Sequence, residues 1–255
     1  MDEWFRTFFD QLYYETYSIF EDEERNLREA KFIIESMGLS PGSRVLDLGC
    51  GYGRHAVYLA RQGYYVVCLD LSEYMIRKAE ERVAAFNVSN RVELVHSDMR
   101  ELKYRSEFDG IYMFFTTFGY FSDEENSILL ERMSNALKPA GVLLLDLWNP
   151  VHIFHIAYIN NGVHRIWLEA GDYTVLEETH YDVLNARVNT KRIFYKKGWI
   201  QPEERSFSVR VYTYWELRDM MEKAGLRIER TYGSYRGDEY KPASPRMILL
   251  ARKLK

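Results

Sequence analysis

Two apolar segments joined by a glycine-rich turn and a short helical pattern constrain this chain more than any other feature. Residues 44–48 read Arg-Val-Leu-Asp-Leu, and the sequence Gly-Cys-Gly-Tyr-Gly follows them directly. A helical pattern over 54–61 leads to a second apolar segment over 65–69, which ends on Asp70. A strand, a glycine turn, a helix and a second strand in this order predict a parallel β-α-β unit. The predicted fold class is therefore α/β.

This unit carries the groups that an adenosine-containing cofactor needs. Glycine allows a tight turn and a close approach of the backbone to a ligand, and the start of the next helix attracts negative charge. Asp70, at the end of the second strand, can accept both hydroxyl hydrogens of a ribose. Asp47 precedes Gly49 by two residues. A carboxylate there suits a cofactor with an ammonium group and repels a pyrophosphate.

The pattern Asp47-x-Gly49-x-Gly51-x-Gly53 resembles the first motif of the class I S-adenosylmethionine-dependent methyltransferases. Later segments resemble the third, fourth and fifth strands of that family in the same order, and others resemble a branch that acts mostly on small molecules. The segments are 92–99, 108–113 and 137–146 for the strands, and 117–121, 232–233 and 244–246 for the branch.

The resemblance implies a Rossmann-like, seven-stranded, mostly parallel sheet with helices on both faces. It implies an enzyme that transfers a methyl group from S-adenosylmethionine to a nitrogen or oxygen of a small-molecule acceptor, with S-adenosylhomocysteine as product. Three alternatives stay open. They are a nicotinamide-dependent oxidoreductase, an RNA or protein methyltransferase, and a non-enzymatic module that binds S-adenosylmethionine.

The resemblance also assigns candidate site residues. The expected cofactor contacts are Tyr13, Tyr17 and Arg25 in the N-terminal helices, Asp47, Gly49, Cys50, Gly51 and Gly53 at the turn, Asp70, Leu71, Asp98 and Met99 after the second and third strands, and Phe115 and Thr116 after the fourth. The catalytic candidates on the substrate side are Tyr120, Tyr232 and Arg246. Ordinary packing, a loop carboxylate or a solvated charge remain alternatives for the aromatic residues, Asp98 and Arg25.

Composition narrows the possible partners and compartments. The net charge is −4, so no global basic field attracts nucleic acid. The two cysteines imply no disulfide scaffold, and no apolar run is long enough to span a membrane. We expect a cytoplasmic monomer or homodimer with no membrane or nucleic-acid partner. His152 and His155 lie one helical turn apart, but nothing nearby completes a ligand set, so no metal site is predicted.

The β-α rhythm is interrupted once along the chain. We predict one domain over 1–255, with an N-terminal helical cover over 1–40 and a cofactor-binding core over 41–150 and 211–255. The cover is predicted as a helix over 3–20 and a second helix ending at Met37. Between 151 and 210, apolar and polar residues alternate, which predicts an antiparallel β insertion on the substrate side. Its bulky residues, Tyr158, Trp167, Tyr173 and Tyr195, are candidates for the pocket wall.

Overall fold

Two β-sheets organise the chain, which a computed structural model describes over residues 3–254. Within that range there are eleven strands, eight α-helices and two short 3₁₀ helices. The strands are β1 (Arg44–Leu48), β2 (Tyr65–Asp70), β3 (Val92–His96), β4 (Phe108–Met113), β5 (Leu137–Trp148), β6 (Val163–Ala170), β7 (Tyr173–Asp182), β8 (Arg187–Lys196), β9 (Glu203–Arg210), β10 (Leu226–Tyr232) and β11 (Arg246–Lys253). The α-helices are α1 (Phe5–Phe8), α2 (Gln11–Tyr17), α3 (Glu23–Met37), α4 (Ala56–Arg61), α5 (Glu73–Ala85), α6 (Asp123–Ala136), α7 (Pro150–Ile159) and α8 (Tyr214–Lys223).

The larger sheet has the strand order β10-β11-β5-β4-β1-β2-β3. Its strands are parallel except β11, which runs antiparallel to both β5 and β10. The order reverses between β1 and β4, so the chain turns in opposite directions on the two sides of this pair. In open α/β sheets, ligands bind outside the carboxyl ends of the strands at such a switch point. The predicted seven-stranded, mostly parallel sheet is confirmed.

Both faces of the larger sheet are covered, and the sequence of its central strands reflects this. The side chains of β1 from Val45 to Leu48 are all buried, as are those of β5 from Val142 to Leu147. Continuous burial is typical of parallel strands between two layers of helices. Local signals fix the covering helices, because Ser72 caps α5 and Ser122 forms a capping box with Glu125 at the start of α6. No helix within residues 3–254 combines the length and apolarity needed to cross a membrane.

The N-terminal segment differs from its prediction. The single helix expected over 3–20 is wrong, because the chain forms α1, α2 and a 3₁₀ helix at Ser18–Phe20. Asp10 interrupts the pattern: its backbone is extended, and its side chain accepts a hydrogen bond from the Tyr13 amide as the cap of α2. The second predicted helix is confirmed as α3, which ends at Gly38 in the left-handed region with φ of 62°.

The predicted insertion forms the second sheet, an antiparallel meander in the order β6-β7-β8-β9. The prediction of antiparallel strands here is confirmed. Trp167 and Tyr195 of this sheet were assigned to the wrong face, since they are 62% and 40% exposed, and Tyr158, which is 85% exposed, lies on α7. Side chains alternate along a strand, so the neighbours of Trp167, Ile166 and Leu168, take the opposite face. The second sheet also contacts the N-terminal segment, since Arg205 forms an ion pair with Asp10 at 3.1 Å.

Candidate cofactor and acceptor site

A cavity of about 470 Å³ lies at the carboxyl ends of β1, β2 and β4, where the switch point is. This volume falls in the range of small-molecule sites. Three parts of the chain build its wall: the glycine turn and strand ends of the larger sheet, the N-terminal helices, and one face of the second sheet. From the second sheet, Ile166, Leu168, Ala170, Val175, Glu177, Arg192 and Phe194 contribute. Tyr173, the remaining predicted wall residue of the insertion, is buried but does not line the cavity.

The glycine turn needs its glycines for two different reasons. Gly49 has φ of +77°, and a Cβ there would lie 2.5 Å from Cγ2 of Thr117. A side chain at Gly49 therefore clashes within the protein itself. Gly51 has φ of +54°, but no atom lies within 4 Å of the position of its Cβ. Because Gly51 lines the cavity, the bare backbone there faces space that a ligand can occupy.

Asp70 lies at the end of β2 and closes the same turn. Its Oδ2 accepts a hydrogen bond from the Gly51 amide at 2.8 Å, and its Oδ1 accepts one from the Ser72 amide at 2.9 Å. Burial raises the pKa of the Asp70 carboxyl, and these backbone donors partly oppose the shift. Each oxygen keeps a second lone pair, so the carboxylate can still accept two hydroxyl hydrogens from a ligand in the cavity.

Asp47 is the deeper of the two carboxyl groups at the turn. It is only 3% exposed, and Tyr112 on the neighbouring strand β4 donates a hydrogen bond to its Oδ2 at 2.8 Å. Burial raises the pKa of Asp47 to about 7, although the bond from Tyr112 opposes the shift. Asp47 lines the cavity, and no cationic side chain within residues 3–254 forms an ion pair with it. A ligand ammonium group would supply that partner.

A buried charge cluster next to the turn was missed by the sequence analysis. Glu29 of α3 is 1% exposed, and its Oε2 lies 2.9 Å from Arg54 Nη1 and 2.8 Å from His55 Nε2. Burial raises the pKa of Glu29, but the hydrogen bond from His55 and the charge of Arg54 outweigh it and hold the pKa near 2. Burial and the Arg54 charge lower the pKa of His55 to about 4. The signal was a glutamate among the apolar positions of α3, beside Ala30 and Ile33.

Arg54 carries donor capacity that the protein does not use. Its Nη1 binds Glu29 and the Asn26 side chain, whereas its Nη2 is buried and has no hydrogen-bond partner among residues 3–254. The guanidinium lies 3.9 Å from the centre of the Phe115 ring, and both residues line the cavity. Arg25 also lines it, with its Nε 2.8 Å from Glu29 Oε1. An orphaned guanidinium nitrogen beside the glycine turn fits a ligand carboxylate.

The cavity is also lined by Leu71, Asp98 and Met99, which are the predicted cofactor contacts after β2 and β3. Asp98 is 9% exposed, and its Oδ2 lies 2.8 Å from Arg100 Nη2. Burial raises the pKa of Asp98, but the hydrogen bonds from Arg100 outweigh it and lower the pKa overall. Asp98 is therefore ionised and partly committed to Arg100. Its contact with the cofactor stays a prediction.

Aromatic side chains line the part of the cavity that faces the N-terminal helices. The Tyr13 and Tyr17 rings stack at 5.0 Å with 12° between their planes. Tyr120 packs against Phe9, with ring centres 6.0 Å apart. Tyr13, Tyr17 and Tyr120 line the cavity as predicted site residues, and so do Gly49, Cys50, Gly51 and Phe115 of the turns.

Four predicted site residues do not line the cavity. Gly53 packs towards α5, where a Cβ would lie 3.3 Å from that of Ala79. Thr116 is buried, and its hydroxyl accepts a hydrogen bond from Arg246 Nη2 at 2.8 Å. Arg246 is committed to Asp146, with its Nε 2.7 Å from Oδ1. The side chains of Thr116 and Arg246 thus stabilise the turn after β4 and do not face the cavity.

Tyr232 lies outside the cavity as well. It contacts Phe32 of α3, with ring centres 5.3 Å apart, and lines a separate surface groove with Arg28, Lys31 and Arg236. The expectation that Tyr232 and Arg246 act on the substrate side therefore has no support from their positions. Both residues were selected because the segments that contain them follow a family pattern. Such a pattern indicates where a segment lies in the fold, but it does not indicate the direction in which each side chain points.

The cavity at the switch point, the glycine turn and the two carboxyl groups define an α/β protein that binds a nucleoside cofactor. Residues 45–141 match the protein family described as methyltransferase domain. A relative, the cypemycin N-terminal methyltransferase of a Streptomyces species, is 29% identical over 210 residues, which are 82% of each chain.

Solved structures agree with this comparison. The CcbJ methyltransferase from Streptomyces caelestis has a TM-score of 0.84 at 21% identity and is covered over 99% of its length by 98% of this chain. CalS10 from Micromonospora echinaspora, an amino pentose methyltransferase solved with bound S-adenosylmethionine, has a TM-score of 0.69 at 21% identity, with 95% of this chain and 97% of that chain covered. The matched methyltransferase domain and these neighbours support an S-adenosylmethionine-dependent methyltransferase.

Proposed function

We propose that this enzyme methylates the nitrogen of a small-molecule amine. The observation that carries the proposal is that no described histidine or tyrosine of the acceptor side is suited to act as a general base, and that the carboxylate of Glu177 there is already paired with Arg192 at 2.7 Å. Burial raises the pKa of the Tyr13 and Tyr120 hydroxyls, so both are neutral at pH 7. His55, with a pKa of about 4, is a weak base and is bonded to Glu29. An amine can lose its proton to water before it reacts, whereas a hydroxyl needs a base at the site.

The cofactor half of the cavity is assigned to the glycine turn and its neighbours. When bound, S-adenosylmethionine supplies a methyl group on a sulfonium, which the acceptor nitrogen takes as the carbon–sulfur bond breaks. We assign the ribose to Asp70, the ammonium to Asp47 and the carboxylate to Arg54 with Arg25. These groups have the charges and unused hydrogen-bonding positions that such a ligand requires.

The acceptor half is assigned to Tyr120 and to the inner face of the second sheet, with the aromatic residues of α2 between it and the cofactor half. The protein's contribution to the reaction is then alignment and exclusion of water, which in well-oriented systems amounts to about 7–11 kcal/mol. The names of two similar proteins point in the same direction, since one is an N-terminal methyltransferase and the other an amino pentose methyltransferase.

The test uses pairs of acceptors in which the same scaffold carries either an amine or a hydroxyl group. We expect methylation of the amine and at least about a hundredfold less of the hydroxyl, because no residue deprotonates it. With the amine, kcat/KM should rise with pH up to the pKa of the acceptor itself. The inflection should move when a ring substituent changes that pKa. Equal methylation of the hydroxyl, or an inflection independent of the acceptor, contradicts the proposal.

The cofactor assignment has a separate test. Asp70→Ala should weaken S-adenosylhomocysteine binding about tenfold or more, because charge-assisted hydrogen bonds to the ribose are lost. Arg54→Met should weaken it as well, with S-adenosylhomocysteine affected more than 5′-methylthioadenosine, which lacks the amino-acid part. Calorimetry on both variants gives the dissociation constants. Unchanged affinity in Asp70→Ala would limit that carboxylate to closing the turn.

A further inference from the structure

Where the inner face of the second sheet lines the cavity, its residues are apolar with the exception of one charged pair. Ile166, Leu168, Val175 and Phe194 of this face line the cavity, and Ala170 lies beside them. Among these apolar residues, Glu177 of β7 and Arg192 of β8 also line the cavity. An ion pair in such a position is costly to bury and does not add to the stability of the sheet unless its hydrogen bonds are completed.

The two charged residues form a direct cross-strand pair. They occupy opposite positions in the β7–β8 register, and Arg192 Nε donates to Glu177 Oε2 at 2.7 Å. The side chain of Arg192 is 13% exposed and that of Glu177 is 18% exposed. Within residues 3–254, Glu177 Oε1 and both terminal nitrogens of Arg192 make no hydrogen bond. The pair therefore presents one acceptor and two donor groups that remain available in the cavity.

Aromatic rings hold the guanidinium of Arg192 in place. Its central carbon lies 5.4 Å from the centre of the Phe207 ring and 5.7 Å from those of Phe8 and Tyr17. These rings come from β9, α1 and α2, so the N-terminal segment and the second sheet enclose the group together. A guanidinium fixed by rings and by one carboxylate loses little conformational entropy when it binds a ligand.

The charges of the pair restrict what it can bind. A lone carboxylate on a ligand would meet Glu177, and a lone ammonium would meet Arg192, so neither ion alone matches the pair. A ligand that carries a hydrogen-bond donor and an acceptor on two neighbouring carbon atoms satisfies both partners at once. An amine with a hydroxyl group on the adjacent carbon is such a ligand.

We propose that Glu177 and Arg192 recognise the methyl acceptor, and that this acceptor is a vicinal amino alcohol. The inference rests on the proposed amine methylation and specifies the class of amine. The donor hydrogen of the ligand binds Glu177 Oε1, and the hydroxyl oxygen accepts from the guanidinium of Arg192. The aromatic rings of Phe207, Phe8 and Tyr17 exclude water from these bonds.

The first experiment measures binding to the protein loaded with S-adenosylhomocysteine. The probes are trans-2-aminocyclohexanol, cyclohexylamine and 2-aminocyclohexanecarboxylate, which differ only at the carbon next to the amine. We expect the amino alcohol to bind at least about tenfold more tightly than the other two, as one charge-assisted hydrogen bond allows. An amino alcohol that binds no better than cyclohexylamine overturns the inference, and so does a preference for the carboxylate.

The second experiment removes the pair. Glu177→Leu with Arg192→Met replaces both charges by apolar groups of similar size, which leaves no unpaired buried charge and preserves folding. Glu177→Gln alone tests the acceptor oxygen. In both variants the preference for the amino alcohol should fall to within about twofold, with unchanged affinity for S-adenosylhomocysteine. The control is Lys191→Gln with Glu204→Gln, an exposed ion pair elsewhere on β8 and β9. A preference that survives in the double variant overturns the inference.

Methylation assays separate this inference from the proposed function. If the amino alcohol binds with the expected preference but is not methylated when S-adenosylmethionine replaces the product, the proposed amine methylation is wrong and the recognition by the pair stands. If amines are methylated with equal KM in the wild type and in the double variant, the pair does not recognise the acceptor and amine methylation stands.

Discussion

Asp47 shows at the scale of one residue how a binding site lowers stability. Its carboxyl group is buried beside Tyr112, and burial raises its pKa to about 7. In the unfolded chain the group has an ordinary aspartate pKa, so the folded chain holds a proton between roughly pH 4 and 7 that the unfolded chain has lost. The free energy of unfolding of the ligand-free protein therefore falls as the pH rises through this window.

We predict that Asp47→Asn stabilises the ligand-free protein at pH 8, by an amount on the order of a few kcal/mol, because asparagine carries no charge to desolvate. Asparagine can still accept the hydrogen bond from Tyr112. Denaturant unfolding at pH 5.5 and pH 8 measures the effect, and the difference between wild type and variant should be roughly half as large at the lower pH. The same variant should weaken S-adenosylhomocysteine binding at pH 8. An equal shift in stability at both values would contradict the assigned pKa.

At this scale the sequence identified the residues that belong to a local pattern. Asp47, Gly49, Gly51 and Asp70 line the cavity because one β-α-β unit positions all four. The buried carboxylate of Glu29 was not foreseen, since its partners Arg54 and His55 lie on another element. Which distant side chains neutralise a buried charge depends on how helices pack, and no spacing along the chain encodes it.

At the scale of elements, the turn after β4 is the most constrained connection in the cavity wall. Phe115 and Thr116 both have left-handed backbones, with φ of 62° and 59°. Asp146 at the end of β5 offsets the strain, because its Oδ2 accepts from the Phe115 amide at 2.9 Å and its backbone carbonyl accepts from the Thr116 amide at 3.1 Å. Arg246 of β11 links Asp146 to the Thr116 hydroxyl. Three strands therefore fix the position of Phe115.

We predict that Arg246→Met destabilises the fold by about 3–5 kcal/mol, because it leaves the fully buried Asp146 carboxylate without its cationic partner. Arg252→Met is the matched control on the same strand. Arg252 is 39% exposed and pairs with Glu229, so its loss should cost less than about 1 kcal/mol. Denaturant unfolding of the two variants decides the matter. Equal losses would mean that the turn does not depend on Arg246.

The positions of the strands and helices along the chain were largely predictable, but the side of each element that faces the cavity was not. The limits of β1 agree with the sequence pattern to the residue, because the glycine turn follows the strand directly. The pattern of the insertion fixed its strands but not which alternate set faces the cavity, since both sets contain large apolar side chains. The N-terminal helix was predicted too long because its aromatic residues continue through the break at Asp10.

At the scale of the whole molecule, the cavity wall combines segments that lie far apart along the chain. The N-terminal helices contribute Tyr13 and Tyr17, and the second sheet contributes Phe194 and its neighbours. The seven-stranded sheet was predictable from family resemblance, because order and spacing of segments carry its topology. The docking of the second sheet on α1 and α2 was not predictable, because it depends on contacts such as that between Phe8 and Phe207.

We predict that S-adenosylhomocysteine slows amide hydrogen exchange both in the turn over 49–53 and in α2, because both line one cavity. A ligand that bridges them must reduce the opening of each. Exchange in β10, at the far edge of the larger sheet, serves as the internal reference and should not change. Hydrogen exchange with mass spectrometry resolves these segments. Protection confined to the turn would show that the N-terminal helices do not close over the cofactor.

The contact between the N-terminal helices and the second sheet also affects how the chain is made. Asp10 and its partner Arg205 are 195 positions apart. At a synthesis rate of about 5–20 residues per second, the aromatic residues around Asp10 wait roughly 10–40 s for the strands that cover them. During that interval Trp4, Phe5, Phe8 and Phe9 belong to a nascent chain whose later strands have not yet been synthesised. This segment is therefore the part of the protein that a chaperone would bind during translation.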